Sequence, residues 1–118
     1  MLVGRGRDLD FGDLGGRSAA DPFAGADPGG VTVRVVRVPP GPRAPHVHPD
    51  SLEVTHVVEG AGRHFQHGEP TPVAAGDTIL VPAGVPHATV ADEPLLLVCV
   101  FPHRDPFATT SELPGELR

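Results

Sequence analysis

The chain has no lysine, no tyrosine, no tryptophan and no asparagine, and only one cysteine, Cys99. Each gap removes a class of chemistry. Without lysine there is no Schiff-base nucleophile. Without tyrosine there is no phenolic acid or base and no cysteine–tyrosine crosslink. A single cysteine excludes an internal disulfide. Proton transfer is left to His, Asp, Glu, Cys or a metal-bound water. The 9 cationic side chains are all arginine, are outnumbered by 15 acids, and leave a net charge of −6. No basic run could neutralise a phosphate backbone, so nucleic acid is not an expected partner. Residues 1–20 hold no apolar stretch of the signal-peptide or membrane-span type. With one unpaired cysteine, the expectation is a cytoplasmic protein with no membrane partner.

What the chain does have is punctuation. Its 118 residues include 15 Gly and 15 Pro, and the apolar mass is mostly Val, Leu and Ala, a mixture that favours short strands between turns. The length suits one domain. Residues 1–30 carry eight of the glycines and show neither a helical nor a strand period. They are read as an irregular N-terminal arm that Phe11 and Phe23 could pin in place. From residue 31 the texture becomes β-branched: "VTVRVVRV" (31–38), "LEVTHVV" (52–58), "GRHFQ" (62–66), "DTILVP" (77–82), "HATV" (87–90) and "LLLVCVF" (95–101). Pieces such as "PPGPR", "HGEPTP" and "PAGVP" separate them and read as turns. About seven closely spaced strands without a helix predict an all-β domain over 31–101, a small antiparallel β-barrel or sandwich. Residues 102–118 read as a tail.

The chemistry is concentrated in two places. His46 and His48 stand two apart, and in a strand that spacing sends both imidazoles to one face. A bend at Pro49 and Asp50 lets Glu53 return to that face; beyond it Thr55 and Val57 point inward, and Val54, His56 and Val58 outward. In "GDTILVPAGVPHATVA" (76–91), Gly76 and Asp77 form a tight turn, and Pro82, Gly84 and Pro86 make a stiff corner that aims His87. If these strands are neighbours, His87 completes a set of three histidines and one carboxylate.

The spacings His46, His48, Glu53, Gly60 (H-x-H-x4-E-x6-G) and Gly76, Pro82, Gly84, His87 (G-x5-P-x-G-x2-H) resemble the first and second motifs of the cupin superfamily, in that order. The resemblance covers roughly residues 31–101. Two positions depart from it: Gly41 falls one place late, with Pro40 where the leading glycine belongs, and Ala91 replaces a frequent asparagine. The resemblance implies a double-stranded β-helix of jelly-roll type and one divalent metal ion per chain on His46, His48, Glu53 and His87. A homodimer is the expected assembly.

Three neutral imidazoles and a carboxylate leave a divalent ion with one net positive charge and, in octahedral geometry, two open positions. That donor set suits Fe2+, Mn2+, Ni2+ or Co2+ better than structural zinc, with Zn2+ or Cu2+ as further options; Fe2+ is the favoured ion. The favoured reading is an oxygenase acting on a small organic substrate. The alternatives are a redox-neutral isomerase or lyase and a non-catalytic small-ligand-binding protein. Candidate substrate-pocket residues are Arg34, which opposes Arg37 across the first strand, together with Thr55, Gln66, Cys99 and Phe101. His64 and His67 flank a hairpin tip and are expected in solvent; His56 belongs to the outer face, and His103 is given no role.

Overall fold

In the run Leu95–Phe101 every second side chain, Leu95, Leu97, Cys99 and Phe101, is buried, and the intervening ones are half-buried. The strand period is therefore written directly into that run. The computed structural model describes residues 1–118. Its strands are β1 (Gly12–Asp13), β2 (Ser18–Ala20), β3 (Thr32–Val38), β4 (His46–Val47), β5 (Glu53–Glu59), β6 (Ala61–Gln66), β7 (Glu69–Ala74), β8 (Thr78–Val81), β9 (His87–Ala91), β10 (Leu95–Phe101) and β11 (Ser111–Glu112). Helical structure is limited to 3-10 turns at Gly6–Asp8 and Pro106–Ala108.

Two antiparallel sheets result, β1-β2-β3-β10-β5-β8 and β11-β4-β9-β6-β7. The architecture is an all-β jelly roll, with one correction to the sequence reading: the sheets are not closed into a barrel. The prolines at 39, 40, 42 and 45 lie between β3 and β4. They have no backbone N–H to donate, and Pro40 makes only an isolated bridge to Ala91 of the other sheet. Val36, Val38, Val57, Leu97 and Phe101 pack with Val73 and Ala91 of the other sheet into one core. On β3, Arg34 shares the inward parity of buried Thr32 and Val36, whereas Arg37 is exposed and lies 4.1 Å from the Phe11 ring centre.

Three segments differ from expectation. "EPTPVA", read as part of a turn, is strand β7, whose residues Pro70 and Pro72 pair with Phe65 and Arg63. The prolines share one parity and lie on an edge strand, where their missing N–H groups cost no ladder bond. Within the supposedly irregular arm, β2 adds to β3 through Ala19↔Val36 and its neighbours. In the tail, β11 pairs with β4.

Gly60 shows why the first motif ends in glycine. Its φ is +92°, and a Cβ there would lie 2.1 Å from the Pro94 carbonyl oxygen. Gly60→Ala combines a left-handed backbone penalty with a backbone clash. It is expected to destabilise the fold by about 3 kcal/mol, read by denaturant titration; an unchanged midpoint would contradict this close approach.

Candidate metal centre

β4 is two residues long and sits between β9 and β11. Its pairing with β9 places His46 opposite His87, with ring centres 4.3 Å apart. His48 follows just beyond the strand, its ring 5.0 Å from that of His46 and 5.3 Å from that of His87. The corner between β8 and β9 holds it there: Gly84 adopts φ +79° and its N–H donates to the His48 carbonyl at 3.0 Å. One donor atom from each of the three rings lies within 4.8 Å of the others. Glu53 arrives from β5 in the facing sheet, with Oε2 3.1 Å from His87 Nε2 and Oε1 3.8 Å from His48 Nε2.

Hydrogen bonds on the far side of two rings fix their orientation. His87 Nδ1 is 2.9 Å from the Val85 carbonyl, which can only accept, so Nδ1 carries a proton and Nε2 is the ring atom turned to Glu53. His48 Nδ1 lies 2.6 Å from Thr110 Oγ1. That hydroxyl donates to the Pro106 carbonyl at 2.9 Å, so it accepts from His48, whose Nε2 is likewise turned to Glu53. His48 Nε2, His87 Nε2 and His46 Nδ1 are buried without a hydrogen-bond partner. A buried unpaired polar atom costs about 1–3 kcal/mol. Two of these three, His48 Nε2 and His87 Nε2, face a carboxylate, an arrangement compatible with a cation of the N/O-binding class.

The electrostatics agree. Burial, then the charges of His87, Arg43 and His48, push the His46 pKa down to about 2. Burial likewise holds His48 below its usual range against the pull of Glu53. Burial pushes the Glu53 carboxyl up, but His87, His48 and His64 outweigh it and leave it below the usual carboxylate range. His46 and His48 are therefore neutral and Glu53 ionised near neutral pH, the protonation states in which they bind metal.

A cavity of about 460 Å³ opens on these four residues, and Arg34, Thr55, Cys99 and Phe101 also line it. Gln66 does not: its Oε1 accepts from His64 Nε2 at 3.0 Å. His64 is a correction as well, being 7% exposed with Nδ1 3.0 Å from Thr89 Oγ1. The hairpin tip is at His67 and Gly68, so His64 lies far enough back on β6 to face inward beside β9. His56 is exposed, as its parity requires, and its Nδ1 lies 2.8 Å from Thr78 Oγ1. Cys99 accepts from Thr55 Oγ1 at 3.3 Å, and burial pushes its thiol up to about 12, which makes it unreactive.

Among the lining residues that sequence reasoning missed are Arg17, Arg43, Phe107 and Thr110. Phe107 packs edge-on against Phe101 at 5.1 Å and lies beneath the Arg34 guanidinium at 5.2 Å. None of the four sits in a run with a readable period. Only the Pro-rich frame around Arg43, which limits where its backbone can go, was a usable signal.

The family model for the cupin domain matches residues 34–101. No curated protein matches the chain. Among solved structures, KdgF from Halomonas sp. superposes with a TM-score of 0.74 at 24% identity, covering 88% of this chain and 97% of that one. Ectoine synthase from P. lautus gives 0.80 at 18%, covering 100% and 94%. A salicylate 1,2-dioxygenase mutant from Pseudoaminobacter salicylatoxidans, in complex with gentisate, gives 0.71 at 24%, covering 85% and 30%. At these identities the likeness is one of fold.

Proposed function

The chain belongs to the cupin domain family, and from that premise we propose that it is a metal-dependent enzyme holding one divalent ion per chain on His46, His48, His87 and Glu53. The observation that carries this reading is the cluster of three histidines with buried ring nitrogens outside any hydrogen bond, two of them facing Glu53. Thr110 and the Val85 carbonyl fix the ring orientations from behind, the support that metal-binding histidines require.

Of the possible reactions, we favour oxygenation of a small organic substrate, with Fe2+ as the ion. Bound there, a redox-active ion supplies the activation of dioxygen. The chain's own part is to bind, orient and exclude water, and the walls of Val36, Leu97 and Phe101 suit it to that. Apart from the four proposed ligands, the polar groups lining the cavity are arginines, threonines and Cys99. None of these accepts a proton readily near neutral pH, so a redox-neutral isomerase or lyase would have to take its base from a ligand or a metal-bound water.

Protein isolated without chelator or affinity tag is expected to carry about one metal ion per chain, predominantly iron, by element-specific analysis. Oxygen uptake in the presence of substrate is expected to depend on that iron. Turnover under strict anaerobiosis would replace the oxygenase reading with the redox-neutral one. Absence of stoichiometric metal would remove both.

A further inference from the structure

Arg43 is a buried cation that no carboxylate of the chain contacts, although Glu53 and Glu112 lie near enough to act on its charge. It is 8% exposed, and its backbone is clamped to Leu117 by two hydrogen bonds, N to O at 2.9 Å and O to N at 2.7 Å. Its side chain donates from Nη1 to the Thr89 carbonyl at 3.0 Å. The arginine–carboxylate pairs of this protein are Arg34–Asp21, Arg63–Asp92, Arg104–Asp27 and Arg118–Glu116. Arg43 belongs to none of them, although the chain carries 15 acids. The one carboxylate lining the same cavity, Glu53, is engaged with the imidazoles.

Arg17 also lines that cavity. It too has no carboxylate partner, and its side chain reaches only the Gly15 carbonyl, at 3.5 Å. A buried guanidinium without an anion is costly, and its planar fork matches a carboxylate in a bidentate fashion. The remaining walls are largely apolar, with Val36, Leu97, Phe101 and Phe107 among them.

We propose that Arg43, assisted by Arg17, anchors the carboxylate of a small and otherwise apolar organic acid, the remainder of which lies toward the histidines. The proposal rests on reading this cavity as the substrate site of the metal-dependent enzyme. It adds a substrate class and two positioning residues to that reading.

The test uses matched acids and primary amides, benzoate with benzamide and butyrate with butyramide, titrated calorimetrically into the full chain with and without added Fe2+. In at least one pair the acid is expected to bind about tenfold or more tighter than its amide, the scale of one charge-assisted hydrogen bond. That preference should persist without metal, disappear in Arg43→Gln and shrink in Arg17→Gln. Equal binding of acid and amide in both pairs would overturn the proposal. So would a preference that survives Arg43→Gln, because the acid would then be recognised elsewhere, for instance by the metal.

Should Arg43→Gln fail to fold, Arg43→Lys retains the charge but loses the fork. It must weaken the acid and spare the amide; equal weakening of both would assign Arg43 a purely structural role. Metal content is measured on every sample. A protein that binds no metal but shows the Arg43-dependent preference would refute the metal reading and leave this one standing.

Discussion

Alanine in place of His48 or His87 is expected to abolish stoichiometric metal binding while leaving a folded β-protein. Losing even an outer partner of a metal-binding histidine typically weakens the metal by about 10–100-fold, and removing the donor itself should exceed that. The fold should survive because neither histidine belongs to the apolar core cluster. Each variant also removes a buried ring nitrogen that has no hydrogen-bond partner, which offsets part of the lost packing. Element analysis and far-ultraviolet circular dichroism check the two halves of the expectation. His64→Ala is the control: both of its ring nitrogens are already taken by Thr89 and Gln66, so its metal content should match the parent. Full metal content in His48→Ala or His87→Ala would defeat the ligand assignment.

Removing residues 102–118 should have a comparably large effect, although that segment contains none of the proposed ligands. The tail supplies β11, which flanks β4. It supplies Leu117, which clamps Arg43, and Thr110, which orients His48. It also carries the His103 carbonyl that accepts from Thr32 at 2.7 Å. Without it, β4 becomes a two-residue edge strand, too short to hold its register on one neighbour. The truncated chain is expected to melt at a lower temperature and to lose its metal. Thr110→Val isolates one part of this: the fold should persist, and metal affinity should fall by about 10–100-fold. A truncated protein with parental metal stoichiometry would show that the tail is incidental to the site.

Much of the centre was legible before any coordinates. The two-residue spacing of His46 and His48 and the stiff corner before His87 identified the histidines. Parity placed Thr55 and Val57 inward and His56 outward, as observed, and put Arg34 and Arg37 on opposite faces; the structure sets Arg34 beside the cavity. The misreadings share a cause. Pro70 and Pro72 suggested a turn because proline is excluded from central strands, whereas β7 is an edge. His64 was assigned to solvent from its distance to a hairpin tip, whereas the burial of its face depends on β9 lying alongside.

What the sequence determined by itself is the identity of the proposed ligands and the side of the chain from which each projects. The pleat repeats every two residues and proline and glycine restrict the backbone locally, so these properties need no distant partner. Only the tertiary structure decided that Glu53 reaches the histidines from the opposite sheet, and that Arg43, Phe107 and Thr110 complete the cavity. Those meetings join residues far apart in the chain, 46 positions between Arg43 and Thr89 and 62 between His48 and Thr110. They depend on strand order, which is set by burying the shared core and leaves no local mark.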